Sequence, residues 1–265
     1  MTKTSYTACA TRPEDIVVCT ALDTGNYPER YSERVSEILG NIKDESLRKT
    51  VKTTLGTFES ESDGKLAQSS PYRLVALQQL LPKGNVLVAR SRLQIAKQNN
   101  PDFMSGFYVD CGLNLVSGGE YRVNPFLAEK LAGDLKKVGI DLKDAKLIPY
   151  NVLTLQADTN SPSGLVFKLS EEGKDRAKDL ILNTSDFKWD CSPSSNGLFR
   201  AYLDRYGYWD SYGVGLADSS GNGRVVVEKT GEASRADFDA LTKEAQSLLE
   251  RQKQERENLV RKLSA

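Results

Sequence analysis

Apolar residues recur at helical spacing over the first hundred positions and switch to alternation beyond them. Asn26 and Pro28 supply a cap and a first-turn proline, and Tyr31, Val35, Ile38 and Ile42 follow at the spacing of one helix face. Leu47, Val51, Leu55 and Phe58 predict a second helix. The polar run 60–69 reads as a loop, after which Ser70 and Pro71 open a third helix carrying Leu74, Leu77, Leu80 and Leu81, ended by Pro82 and Gly84. Residues 85–98 fit two periods. Val86, Ala89, Leu93 and Ala96 suit a helix, while Leu87, Ala89, Ser91, Leu93 and Ile95 suit a strand; helix is favoured. Asn99, Asn100, Pro101 and Gly106 make 97–105 the expected boundary between a mainly helical region, 1–100, and a second region, 106–265, with a single domain as the alternative.

In the second region Phe107, Val109, Cys111, Leu113 and Leu115 alternate with polar or small residues, as in a half-buried strand. Asn124 and Pro125 open a helix lined by Leu127, Leu131, Leu135 and Val138, and Gly139 sits where a left-handed C-terminal cap belongs. Further strands are expected over 147–156 and 165–169, joined by a turn rich in Asn160, Ser161, Pro162 and Gly164. Ser170 caps a helix reaching Leu182. Three more strands, 198–205, 208–216 and 224–229, predict an antiparallel meander, its last turn being Asp218 to Gly223. That turn has oxygens at alternate positions like a calcium loop, but Lys229 stands where the bidentate acid is required, so a hairpin turn explains it better. A long helix closes the chain. Phe238, Leu241, Ala245, Leu248 and Leu249 share one face, the stretch 250–258 is wholly polar with oppositely charged i,i+4 pairs, and Leu259, Val260 and Leu263 form an apolar cluster suited to a protein partner. The fold class is α+β: an N-terminal helical region, then a mixed, mainly antiparallel sheet with packed helices and a long C-terminal helix. The order of elements from 107 to 204 also matches the split ferredoxin-like arrangement, though without the basic-glycine-aromatic signature of RNA-recognition modules.

Composition narrows the chemistry more than the fold. The 265 residues carry 36 Lys plus Arg against 36 Asp plus Glu and no His, which removes serine triads, Cys–His pairs and His-ligated zinc. The four cysteines, Cys9, Cys19, Cys111 and Cys191, contain no C-x-x-C pair, so reduced thiols are expected and no cofactor or metal is. No apolar run spans a bilayer, residues 1–22 lack the unbroken apolar core of a secretory signal, and a cytoplasmic location is expected. Walker loops, dinucleotide fingerprints and nucleophile elbows are absent from the sequence.

Two constellations carry the functional reading. Between Asp63 and Asp102 the chain holds Lys65, Arg73, Lys83, Arg90, Arg92 and Lys97 with no acid, a candidate surface over 64–101 for RNA or another polyanion, against the commoner outcome of pairing with acids elsewhere. From Phe199 to Tyr212, six aromatics crowd together with Arg200 and Arg205, and on a strand Arg200, Tyr202, Asp204 and Tyr206 would share one face beside Trp209. Cross-strand packing is again the commoner outcome. These residues, Lys83, Arg90, Arg92, Lys97, Arg200, Tyr202, Tyr206 and Trp209, are the candidate binding set of a non-enzymatic binding or assembly module. The alternative is a carboxylate acid–base hydrolase of a sugar-like substrate, drawing on Asp186, Asp190, Asp204 and Asp210.

Overall fold

Strand β1 (Ile16–Val18) precedes two helices, α1 (Tyr27–Gly40) and α2 (Glu45–Leu55), and Asn26, the expected cap of the first, lies outside the described residues. Asp44 Oδ1 accepts from Leu47 N at 2.7 Å at the start of α2, and Gly56 ends it at φ +52°. A side chain at Gly56 would lie 2.3 Å from the Arg73 guanidinium, so the glycine also makes room for that arginine. The computed structural model describes residues 16–18, 27–60, 65–81, 85–100, 102, 105–184, 187–211 and 215–229. Residues 1–229 form one compact unit and 230–265 a second; the expected C-terminal helix and the 259–263 cluster lie outside the described residues.

Strands β2 (Glu59–Ser60) and β3 (Leu66–Ala67) form a small hairpin, and α3 (Pro71–Gln78) starts where Ser70 Oγ accepts from Arg73 N. Residues 71–77 of α3 are all buried, so this helix runs through the core instead of over it. The doubly periodic segment contains both elements in succession, β4 (Asn85–Leu87) and α4 (Arg90–Asn99). There follow β5 (Val109–Val116), α5 (Pro125–Lys137), β6 (Lys146–Ile148), a 3-10 turn (Tyr150–Val152), and β7 (Leu153–Ala157). The chain continues through β8 (Leu165–Leu169), α6 (Glu171–Leu180), β9 (Leu182–Asn183), β10 (Gly197–Leu203), β11 (Trp209–Asp210) and β12 (Val226–Lys229).

The fold is α+β, with six helices among the described residues and every named strand pair antiparallel. The central sheet has the order β11-β10-β5-β6-β9, and a second sheet the order β1-β12-β4. Four sequence expectations are corrected. Pro149 offers no N–H to a ladder, so the strand expected over 147–156 breaks into β6, the 3-10 turn and β7. β8 pairs with β7 alone, so the ferredoxin-like sheet does not form. The meander stops at β11, because β12 joins the second sheet and Asp218 to Gly223 links two sheets instead of closing a hairpin. Asn124 is left-handed, φ +48°, and spends its side-chain amide on Leu198 O at 2.8 Å instead of capping α5.

The alternation along β5 is also interrupted. The ladder to β10 runs Arg200↔Leu113 and Ala201↔Gly112, then jumps to Tyr202↔Asp110, which leaves Cys111 as the extra residue of a bulge. Leu113 and Leu115 therefore join the main core with Leu77, Leu131 and Phe167, while Val109 and Cys111 join a smaller cluster with Leu93, Leu147 and Trp209. Asp110 is brought to the face of Leu113 and Arg200. Residues on both sides of the 97–105 segment share the main core.

Candidate functional site

Arg200 projects from β10 onto a polar pocket within the main-core face of the sheet. Its Nε and Nη2 donate to Asp110 Oδ1 and Oδ2 at 2.8 and 2.7 Å, and Nη1 donates to Asp218 O at 2.9 Å. Ser69 Oγ donates to Asp110 Oδ2 at 3.1 Å, and the rings of Tyr108 and Tyr202 stand 5.2 and 5.7 Å from the guanidinium. Burial alone would lower the Arg200 pKa, but the Asp110 carboxylate outweighs it and holds the group above the ordinary arginine range. Both charges are committed to one bidentate pair.

Arg90 lies at the start of α4 beneath the other face. Three rings surround it, Phe187 at 4.3 Å, Trp209 at 4.4 Å and Trp189 at 5.0 Å from ring centre to guanidinium carbon. Nη2 donates to Lys188 O at 2.8 Å, Nε is buried without an acceptor, and burial lowers the pKa, opposed by Cys111 and Asp190. Trp209 is pinned in turn, its Nε1 donating to Gln94 Oε1 at 2.5 Å.

The acid-free segment is consequently not one open cationic face. Arg73 donates to Leu55 O at 2.9 Å and Gln68 O at 2.7 Å, Arg92 pairs with Glu228 at 3.3 Å, Lys97 Nζ donates to Gly207 O, and Lys65 is also engaged. Lys83 lies outside the described residues. Missing acids in sequence did not mean missing partners in space, because aromatic rings, carbonyls and, for Arg92, the distant carboxylate of Glu228 supply them.

The β10–β11 turn carries the exposed aromatics. Asp204 Oδ1 accepts from Tyr206 N at 2.8 Å and from Tyr208 N at 2.7 Å, Gly207 takes φ +82°, and Arg205 stacks on Tyr206 at 4.7 Å. The turn is therefore braced from inside, and from below by Lys97. Tyr206 is 69% exposed and Tyr208 55% exposed, whereas Tyr202 is half-buried and Trp209 buried. Arg200 and Tyr202 share one face of β10, but Asp204 and Tyr206 do not continue it as the strand reading required, since β10 ends at Leu203.

Three carboxylates collect near this turn. Asp190 Oδ2 accepts from Trp209 N at 2.7 Å. Burial, then Asp204 and Asp190, raises the Asp210 carboxyl above the ordinary aspartate range. Asp186 lies outside the described residues. Burial drives the Cys111 thiol far up, against the pull of Arg90, so it is no thiolate nucleophile. Among the described residues no group of three or more acids or cysteines is placed to hold a metal ion, and no helix is long and apolar enough to cross a membrane.

Sequence reasoning missed Asp110, which its alternating strand assigns to the polar side, and the cage residues Phe187 and Trp189, which no periodicity marks. The bulge and the long-range pairing leave no short-range signal. Comparison with family models, with characterised proteins and with solved structures yields no match, so the functional reading rests on this geometry.

Proposed function

We propose that the protein is a non-enzymatic binding module that recognises a protein partner through the turn 204–208. The observation that carries this reading is the pair Tyr206 and Tyr208, both exposed on a turn whose backbone is fixed by Asp204 and Lys97. Tyr and Arg dominate the energetics of protein interfaces because they bring large area with little flexibility to lose, and Arg205 stacked on Tyr206 adds to that surface. A protein partner is favoured over nucleic acid on electrostatic grounds. Asp204 and Asp190 lie near enough to raise Asp210, and the negative field of this cluster opposes a phosphate backbone. The free thiols of Cys111 and Cys191 fit a reducing compartment, hence the cytoplasm. The apolar residues Leu259, Val260 and Leu263 offer a second contact of the same kind.

Affinity capture from extract of the source cells tests this reading. The full chain is expected to retain a partner after nuclease treatment, and Tyr206→Ala/Tyr208→Ala to lose it; retention by the double variant, or release by nuclease, overturns the proposal.

One observation favours the hydrolase alternative, namely an Asp210 carboxyl whose pKa is raised by burial and by the neighbouring Asp204 and Asp190. It is the weaker reading, because Asp204 and Asp190 each commit an oxygen to backbone amides of the turn. Loss of glycan cleavage in Asp210→Asn, with wild-type cleavage as the control, is its required signature.

A further inference from the structure

A cavity of about 430 Å³ opens beside the N-terminal end of α5, within the range of roughly 300–1,000 Å³ that holds small molecules. Its walls are apolar, formed by Pro125, Phe126, Leu127, Pro162, Leu216 and Ala217, and its polar corner is built from Thr54, Tyr72 and Ser163. The corner is rigid. Tyr72 stacks on Phe167 with ring centres 4.6 Å apart and is itself buried, and Gly164, at φ +74°, packs the adjoining turn against Val51 of α2.

The hydroxyl protons of that corner are spent on the protein. Thr54 Oγ1 donates to Ser163 O at 2.8 Å, and Ser161 Oγ donates to Leu165 O at 2.6 Å. Ser163 Oγ lies 3.0 Å from the same carbonyl, 2.9 Å from Ser161 Oγ and 2.7 Å from the Tyr72 hydroxyl. Ser163 finds its acceptors on its own turn, and a phenol is the stronger donor, so the Tyr72 proton goes to Ser163. Tyr72 Oη and Thr54 Oγ1 then present lone pairs only. Asn124, also on the wall, turns its side-chain amide away, one of its two N–H groups donating to Leu198 O.

Among the described residues, none that lines the cavity carries a charge at neutral pH. Burial pushes the Tyr72 phenol up to about 12, opposed by the Ser163 hydrogen bond, so it stays neutral. A carboxylate or ammonium entering such a site would lose its hydration with no counter-charge to replace it. We propose that this cavity binds a small, uncharged, mainly apolar molecule bearing one hydroxyl, a phenol or an alcohol, which donates its proton to the acceptor corner formed by Tyr72 and Thr54. The site is separate from the turn 204–208 and independent of what that turn recognises.

Calorimetric titration of the full chain with 4-propylphenol, its methyl ether 4-propylanisole, and 4-propylbenzoate tests this. The phenol is expected to bind about tenfold or more tighter than the ether, because the ether leaves a buried acceptor unpaired, and the benzoate to give no heat. Ala217→Trp, a change at an exposed position on the cavity wall, is expected to abolish phenol binding with an unchanged melting temperature. Tyr72→Phe should bring phenol and ether within about twofold of each other, and Thr54→Val gives the same readout should Tyr72→Phe impair folding. The Tyr206→Ala/Tyr208→Ala variant binds the phenol as the wild type does. No phenol binding up to its solubility limit, equal affinities for phenol and ether, preference for the benzoate, or full binding by Ala217→Trp overturns the proposal.

Discussion

Arg90 and Arg200 are buried to nearly the same depth, 7% and 9% exposed, on opposite faces of one sheet, yet they are satisfied by different chemistry. Arg200 meets a carboxylate in bidentate geometry and a carbonyl besides. Arg90 meets three aromatic rings, one carbonyl, and nothing at Nε. The first arrangement neutralises a charge; the second spreads it over ring quadrupoles while leaving part of the desolvation cost uncompensated. A buried arginine is thus stabilised by whatever electron density the fold brings to it, and an acid is only one source.

The comparison breaks most sharply at Asp110. Asp110→Ala leaves the Arg200 charge buried and unpaired, and is expected to cost about 3–5 kcal/mol in urea denaturation. The double variant Asp110→Leu/Arg200→Met should recover most of that loss, since two apolar groups need no partners. A loss under about 1 kcal/mol in Asp110→Ala would mean that Arg200 draws its stability from Tyr108 and Tyr202 instead.

At Arg90 the expected effect is smaller and its order is informative. Arg90→Met forfeits a cation–π contribution of about 2 kcal/mol but removes a buried unpaired N–H, so the net loss should fall below that figure. Arg90→Lys should be the worse of the two, because an ammonium is more strongly hydrated and cannot lie flat between rings. Equal stability of wild type and Arg90→Lys in thermal denaturation would contradict the cage.

Asp210 gives a weaker, pH-dependent test. Its pKa is raised in the folded state, so the folded chain holds the proton more tightly than the unfolded chain, and stability falls as pH rises from the ordinary aspartate value through the raised one. Asp210→Asn should therefore be modestly more stable than the wild type at pH 7, with the gap closing below about pH 4. A constant gap across that range would remove the carboxylate cluster as its cause. The smallest effect belongs to the turn: Tyr206→Ala/Tyr208→Ala should change stability by no more than about 0.5 kcal/mol, as expected of exposed side chains outside the core.

Much of the local structure was legible. Ser70 and Ser170 cap the helices they were positioned to cap, and Gly139 takes the left-handed conformation at the end of α5. The segment 85–98 fitted both periods and helix was favoured, whereas the chain forms a strand over 85–87 and a helix only from Arg90. What misled was alternation carried across a bulge. The set from Val109 to Leu115 reads as one face, and a single extra residue at Cys111 sends its halves to different cores and turns Asp110 inward. The candidate site was legible by residue type and not by arrangement. Arg90, Arg200, Tyr206 and Trp209 all have distinct roles, but the acid-free segment and the aromatic strand signalled them as surfaces, whereas only the turn is one.

The sequence by itself determined where α3 and α6 begin, the α+β class, and the exclusion of histidine chemistry, because capping, periodicity and composition act through neighbours in the chain or through none. The tertiary structure alone decided which strands share a sheet, which arginine meets an acid and which meets aromatic rings, and where the cavity lies. Those outcomes join residues tens of positions apart, Arg90 with Lys188 or Asp110 with Arg200, through register and packing that no local pattern encodes.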